Sequence, residues 1–146
     1  MESSPRLFYR ILRLKQVVGV RMEETLKPVG LTAGQYTVLT LVRRFAPVTS
    51  AELARKMQIS AQSMGESLKT LETRELVSRS VSPANRRQVL FVLTSAGKKL
   101  TLKADKVIAR EEERFLASLT PGAAAALNQA LETLRSQQSA QSAGTS

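Results

Sequence analysis

The sequence predicts a mainly α fold with one small β-hairpin. Three observations carry that expectation. Apolar residues recur every three or four positions over most of the chain, the spacing that lines one face of a helix. Two hydroxyl residues, Thr32 and Thr49, are followed three positions later by Gln35 and Glu52, the pattern of a capping box at a helix start. Between residues 76 and 93 the period changes: two Val- and Leu-rich stretches, LVSRSV and QVLFVL, flank the turn SPANRR.

Taken in order, Pro5 follows Ser3-Ser4 and fits the first turn of a helix. Leu7, Ile11, Leu14, Val18 and Met22 then form a helical stripe, ended near Lys27 by Pro28 and Gly30. A second helix starts from Thr32 and turns Tyr36, Val38, Leu39 and Val42 inward. Arg43 and Arg44 fall in its last turn, where cations suit the helix dipole, and Pro47 closes it. A third helix starts from Thr49 and carries Leu53, Ala54 and Met57. After the short turn QIS, Ser60 caps a fourth, with Met64, Leu68 and Leu71 on its inner face. Two short helices joined by three residues are the layout of a helix-turn-helix.

The two strands and their turn follow. Thr94 then caps a long helix reaching about Ala117, and Thr120-Pro121 opens a last one. Helices, helix-turn-helix, hairpin and two more helices make a winged helix-turn-helix. The expected organisation is a DNA-binding lobe over 31–94, helical regions over 1–30 and 95–137 on either side of it, and a polar disordered tail over 138–146.

Composition narrows the function. The 146 residues carry 22 Lys and Arg against 12 Asp and Glu, a net charge of +10 that favours a polyanionic partner. There is no Cys and no His, and Asp105 is the only Asp. That excludes disulfides, the usual zinc sites and the common catalytic triads, so no enzyme and no cofactor are expected. No apolar run approaches the roughly 20 residues needed to span a bilayer. The expectation is a cytoplasmic protein with no membrane role.

The fourth helix, residues 61 to 74, is the candidate reader of DNA. Its outer face carries Gln62, Ser63, Glu66, Lys69 and Thr70, with Ser60 at its start. Gln62 suits an adenine edge, and Ser63 a base or a phosphate. Glu66 repels phosphate unless it accepts from a cytosine amino group or pairs with Lys69. Arg86 and Arg87 sit at the tip of the hairpin, beside the reading helix, where arginine suits a narrow minor groove.

Residues 31–97 resemble the MarR family of bacterial transcriptional regulators. The matching stretches are LTAGQYTVL, VTSAELARKMQIS, SLKTLETRELVSR and NRRQVLFVLTSAG. The flanking helices match in position, so the likeness covers about residues 6–135. In the family's wing an Asp-x-Arg precedes a strand ending in Leu-Thr. Here Asn85-Arg86-Arg87 precedes Leu93-Thr94, so Arg87 matches the minor-groove arginine and Asn85 replaces the Asp that braces it. Glu75 stands where the family usually has a helix-ending Gly.

The resemblance implies a homodimer whose two ends interlock. The candidate interface is Leu7, Phe8, Ile11 and Leu12 at one end, with Phe115, Leu116, Leu119, Leu127, Leu131 and Leu134 at the other. Two reading helices would then face a near-palindromic double-stranded operator. The resemblance also implies release by a small anionic aromatic inducer, for which Arg10, Arg13 and Tyr36 are candidates. The expected function is a sequence-specific repressor. The alternatives are a ligand-independent DNA binder or activator, and a winged-helix module that binds protein.

Overall fold

The computed structural model describes residues 6–143. Pro5 and residues 144–146 of the tail lie outside them. The chain divides into two compact units, one up to Ala109 and one from Arg110 onward.

In the first unit, helix α1 (Leu7–Leu26) ends in a 3-10 turn (Lys27–Val29) closed by Gly30 at φ 80, a left-handed position that glycine occupies without strain. Helix α2 (Ala33–Phe45) starts at a complete capping box: Thr32 accepts from the Gln35 backbone, and the Gln35 side chain accepts from the Thr32 backbone. Helix α3 (Ser50–Met57) starts the same way with Thr49 and Glu52. Helix α4 (Ala61–Thr73) is capped by Ser60, whose hydroxyl accepts from the Ser63 N–H at 3.0 Å. Each box satisfies backbone donors that the first helical turn leaves unpaired.

The QIS turn works through Gln58, which takes a left-handed conformation at φ 54. Ala54 is buried at the α3–α4 contact, and Met64, Leu68 and Leu71 are buried on α4. These three join Leu26, Leu39, Val42 and Leu53 in one core. Burying each large aliphatic chain contributes about 1.5–3 kcal/mol.

Strands β1 (Val77–Val81) and β2 (Val89–Leu93) pair antiparallel, with Val77 opposite Leu93, Arg79 opposite Phe91 and Val81 opposite Val89. Val77, Phe91 and Leu93 are buried and fix the root of the ribbon. Val48 adds a single bridge to Phe91, with backbone hydrogen bonds of 2.8 and 3.2 Å, and ties the α2–α3 loop to β2.

Helix α5 (Ser95–Leu116) is stapled to the α4–β1 junction. The Thr94 hydroxyl donates to the Glu75 carbonyl at 2.6 Å and accepts from the Gly97 N–H at 2.9 Å. A Cβ on Gly97 would lie 2.0 Å from the Leu76 carbonyl oxygen, so only glycine permits this approach. Glu75 itself sits at φ 57. The helix end takes the left-handed geometry with a glutamate rather than a glycine, at a strain of about 1 kcal/mol or more.

In the second unit, α6 (Pro121–Ala143) begins with Thr120 accepting from Ala123 at 3.2 Å. The structure corrects the expected disordered tail: α6 continues through residues 138–143. Residues 136–143 contain only Ser, Gln and Ala, with no Pro or Gly to stop a helix before Gly144. Ser136 and Ser139 turn their hydroxyls back onto the carbonyls of Glu132 and Arg135, one turn earlier on the same helix.

Candidate nucleic-acid interface

The site is built from α3, α4 and the hairpin, which together line a cleft of about 750 Å³. One wall comes from α4. Gly65, Lys69 and Glu72 follow one another at four and three residues, so they lie on one helix face. The start of α3 gives Thr49, Ser50, Glu52 and Arg55. The hairpin gives Arg79, Asn85, Arg87, Gln88 and Val89, over a floor that includes Leu68 and Phe91.

The cleft is basic in effect as well as in count. Glu52 is engaged in the α3 capping box, and both oxygens of Glu72 are taken by Arg79. Among the described residues, Arg55, Lys69 and Arg87 have no side-chain hydrogen bond or ion pair, so three cations face the opening unpaired. The Arg79 guanidinium holds the Glu72 carboxyl below its usual range, and the carboxylate in turn raises Arg79.

The expected readers are all exposed on or beside α4: Ser60, Gln62, Ser63, Glu66, Lys69 and Thr70. Apart from Lys69, they are tied to one another. Ser60 and Ser63 share a hydroxyl hydrogen bond of 2.9 Å, Gln62 donates to Glu66 at 3.4 Å, and the Thr70 hydroxyl donates to the Glu66 carbonyl at 3.1 Å. Glu66 therefore pairs with Gln62 and not with Lys69. Arg86 and Arg87 are both exposed at the wing, but of the two Arg87 lines the cleft.

The other candidates lie elsewhere. Arg10 and Arg13 are exposed on α1. Tyr36 donates its hydroxyl to Asp105 of α5 at 2.8 Å, and Arg43 grips the same carboxylate at 2.6 Å. Burial, with the Asp105 hydrogen bond second, pushes the Tyr36 phenol up to about 12. The hydrogen bond from Arg43 holds the Asp105 carboxyl below its usual range. The candidate interface residues of α1 are exposed, Phe8 at 79%. Leu119, Leu127, Leu131 and Leu134 are also exposed, while Phe115 and Leu116 are half-buried.

Comparison with known proteins decides the family. Residues 31–89 match the MarR family. The HTH-type transcriptional repressor Rv2887 of Mycobacterium tuberculosis is 32% identical over 114 residues, covering 78% of this chain and 82% of that protein. A crystal structure of Rv2887, there named a MarR family protein, in complex with p-aminosalicylic acid superposes with a TM-score of 0.76 at 29% identity, over 89% of this chain and 98% of that one. The chain belongs to the MarR family. The transcriptional repressor CouR, bound to a 23-mer DNA duplex, is 30% identical with a TM-score of 0.83, over 89% of this chain and 92% of that one.

Within this MarR-family chain, the Asn85 side-chain oxygen accepts from the Arg87 backbone N–H at 3.1 Å. It shapes the turn by an Asx-type bond and leaves the Arg87 guanidinium without a brace from that side chain. Sequence reasoning missed Glu72, Arg79, Arg55 and the Tyr36–Asp105–Arg43 cluster. One part of Arg79's placement was legible: alternation in VSRSV puts it on the face of Val77 and Val81.

Proposed function

We propose that this chain is a cytoplasmic, homodimeric transcriptional repressor that binds a near-palindromic double-stranded operator and is released by a small anionic aromatic compound. The observation that carries the reading is the shared cleft: Lys69 of α4 and Arg87 of the wing face one opening, with their charges unpaired. Helix α4 enters the major groove, with Gln62 and Ser63 toward base edges and Lys69 toward phosphate. Arg87 reaches the adjacent minor groove.

The exposed apolar rows support the second copy. Leu127, Leu131 and Leu134 repeat at four and three residues on α6, and Leu7, Ile11 and Leu14 do so on α1. Covering them with a partner places two α4 helices about 34 Å apart, one turn of DNA. The salicylate-type ligand of Rv2887 supports a carboxylate-bearing inducer, with Arg10, Arg13 and Tyr36 as candidate contacts. No helix among the described residues is long and apolar enough to cross a membrane. The reading contains no catalytic step.

The test is binding to duplexes selected by this chain from a random-sequence pool, across 50–200 mM salt, with and without p-aminosalicylate. Expected are a selected two-fold sequence, a steep loss of affinity with salt, a dimer by light scattering, and release by the acid. A chain that selects no sequence and shows no salt-dependent affinity sinks the reading.

A further inference from the structure

The wing has to be held still for Arg87 to be useful, and its own turn does not hold that side chain. Asn85 spends its oxygen on the Arg87 backbone. A two-stranded ribbon is marginal alone in water. Its root is fixed by Val77, Phe91 and Leu93, yet two residues further out Val81 is already 55% exposed. Between root and tip lies Arg79, opposite Phe91 in the register. Its Nε and Nη2 each meet a Glu72 oxygen at 2.6 Å, a two-bond fork from β1 to the last turn of α4. Among the described residues, no other side chain of α4 hydrogen-bonds to either strand.

We propose that Glu72 and Arg79 are positioning residues for DNA recognition: their fork sets the angle between reading helix and wing, and so places Arg87 in the minor groove. This rests on the DNA-binding reading above. The fork replaces at the base of the wing the bracing that Asn85 does not give at its tip. It also silences Glu72, a carboxylate that would otherwise face phosphate from within the cleft.

Those two roles predict opposite signs for one substitution. Glu72→Gln removes a negative charge beside DNA, so charge alone would tighten binding. Loss of the fork loosens the wing and weakens it. With a duplex selected from a random pool by the unaltered chain, Glu72→Gln and Arg79→Ala are each expected to lower affinity by about tenfold, the scale of one good contact to DNA. In an Arg87→Ala background the further loss from either should fall below about twofold, because the residue they position is gone. The preference for A·T-rich over G·C-rich flanks should shrink in Glu72→Gln, a change that general destabilisation would not produce. Glu72→Gln is near-isosteric and keeps the test open if Arg79→Ala does not fold.

Unchanged or tighter binding by Glu72→Gln overturns the proposal, as does a full tenfold loss that persists in the Arg87→Ala background. If the unaltered chain binds no duplex, the DNA-binding reading fails and the fork's role with it. If it binds and Glu72→Gln binds equally well, the fork alone is refuted.

Discussion

Helix α4 and the wing face the same cleft but are held there by different means. Helix α4 drives Met64, Leu68 and Leu71 into the core, each at 2% exposure or less, and its outward side chains bond mainly to one another. The β1–β2 ribbon is buried only at its root and reaches its tip through a short turn, with one side-chain fork to α4. A surface that reads bases must present several groups in fixed register, which a packed helix supplies. A single arginine seeking a narrow groove needs only one direction to be fixed, which a ribbon and one fork can supply.

The largest expected effect strikes the junction that both elements share. Gly97→Ala would put a methyl group against the Leu76 carbonyl, where the obstacle is backbone on both sides. It should destabilise the fold by about 3 kcal/mol or more, beyond ordinary overpacking, with thermal melting as the measurement. Survival with little loss would mean that the α5 start moves freely against the α4–β1 corner.

Next come the two halves of the cleft. Arg87→Ala should cost about 2 kcal/mol of operator affinity, the scale of hydrogen bonds to a charged group. Arg86→Ala should cost clearly less, as judged by titration over a salt series. Equal losses would erase the distinction drawn within the wing. Gln62→Ala should cost about 1 kcal/mol and act on the selected sequence only, because the amide shares its donors with Glu66. Lys69→Ala should weaken selected and random DNA alike. The reverse pattern would move base reading from Gln62 to Lys69.

Smaller effects test the frame around them. Glu75→Gly should stabilise the fold by about 0.5–1 kcal/mol, since it relieves a left-handed non-glycine residue with an exposed side chain; an unchanged urea midpoint would show that no strain is stored there. The Asp105 cluster should show only at the pH extremes. Its folded pKa is depressed, so its contribution is complete above the unfolded value of about 3.9 and lost as pH falls through the folded one. Tyr36 is raised to about 12, so its contribution is complete below about 10 and lost as pH climbs toward 12. Asp105→Asn should flatten the acid limb of stability against pH, and Tyr36→Phe the alkaline limb. An unchanged profile in either would remove the cluster from the stability of the fold.

What the sequence disclosed and what it hid divide along chain distance. Capping boxes at Thr32 and Thr49, the Ser60 cap, the hairpin and the starts at Thr94 and Thr120 are local patterns, and all appear in the structure. The grip of Arg43 and Tyr36 on Asp105 spans more than sixty residues and has no local sign. The Glu72–Arg79 fork crosses a change of element, where helix period gives way to strand alternation, so neither rule applied alone connects the two residues. The missed end of α6 has another cause: a polar Ser-Gln-Ala run suggested disorder by composition, while its Ala and Gln content and lack of breakers favour continuing a helix already begun.

Arg79 has a consequence for self-association. In the two-stranded sheet β2 receives a bridge from Val48, while the outer side of β1 has no strand beside it among the described residues. Open strand edges can template pairing with another chain, and proteins blunt them by brevity, charge and polarity. Strand β1 has five residues, and its middle reads Ser78-Arg79-Ser80. The guanidinium that anchors the wing also places a charge at the centre of that open edge.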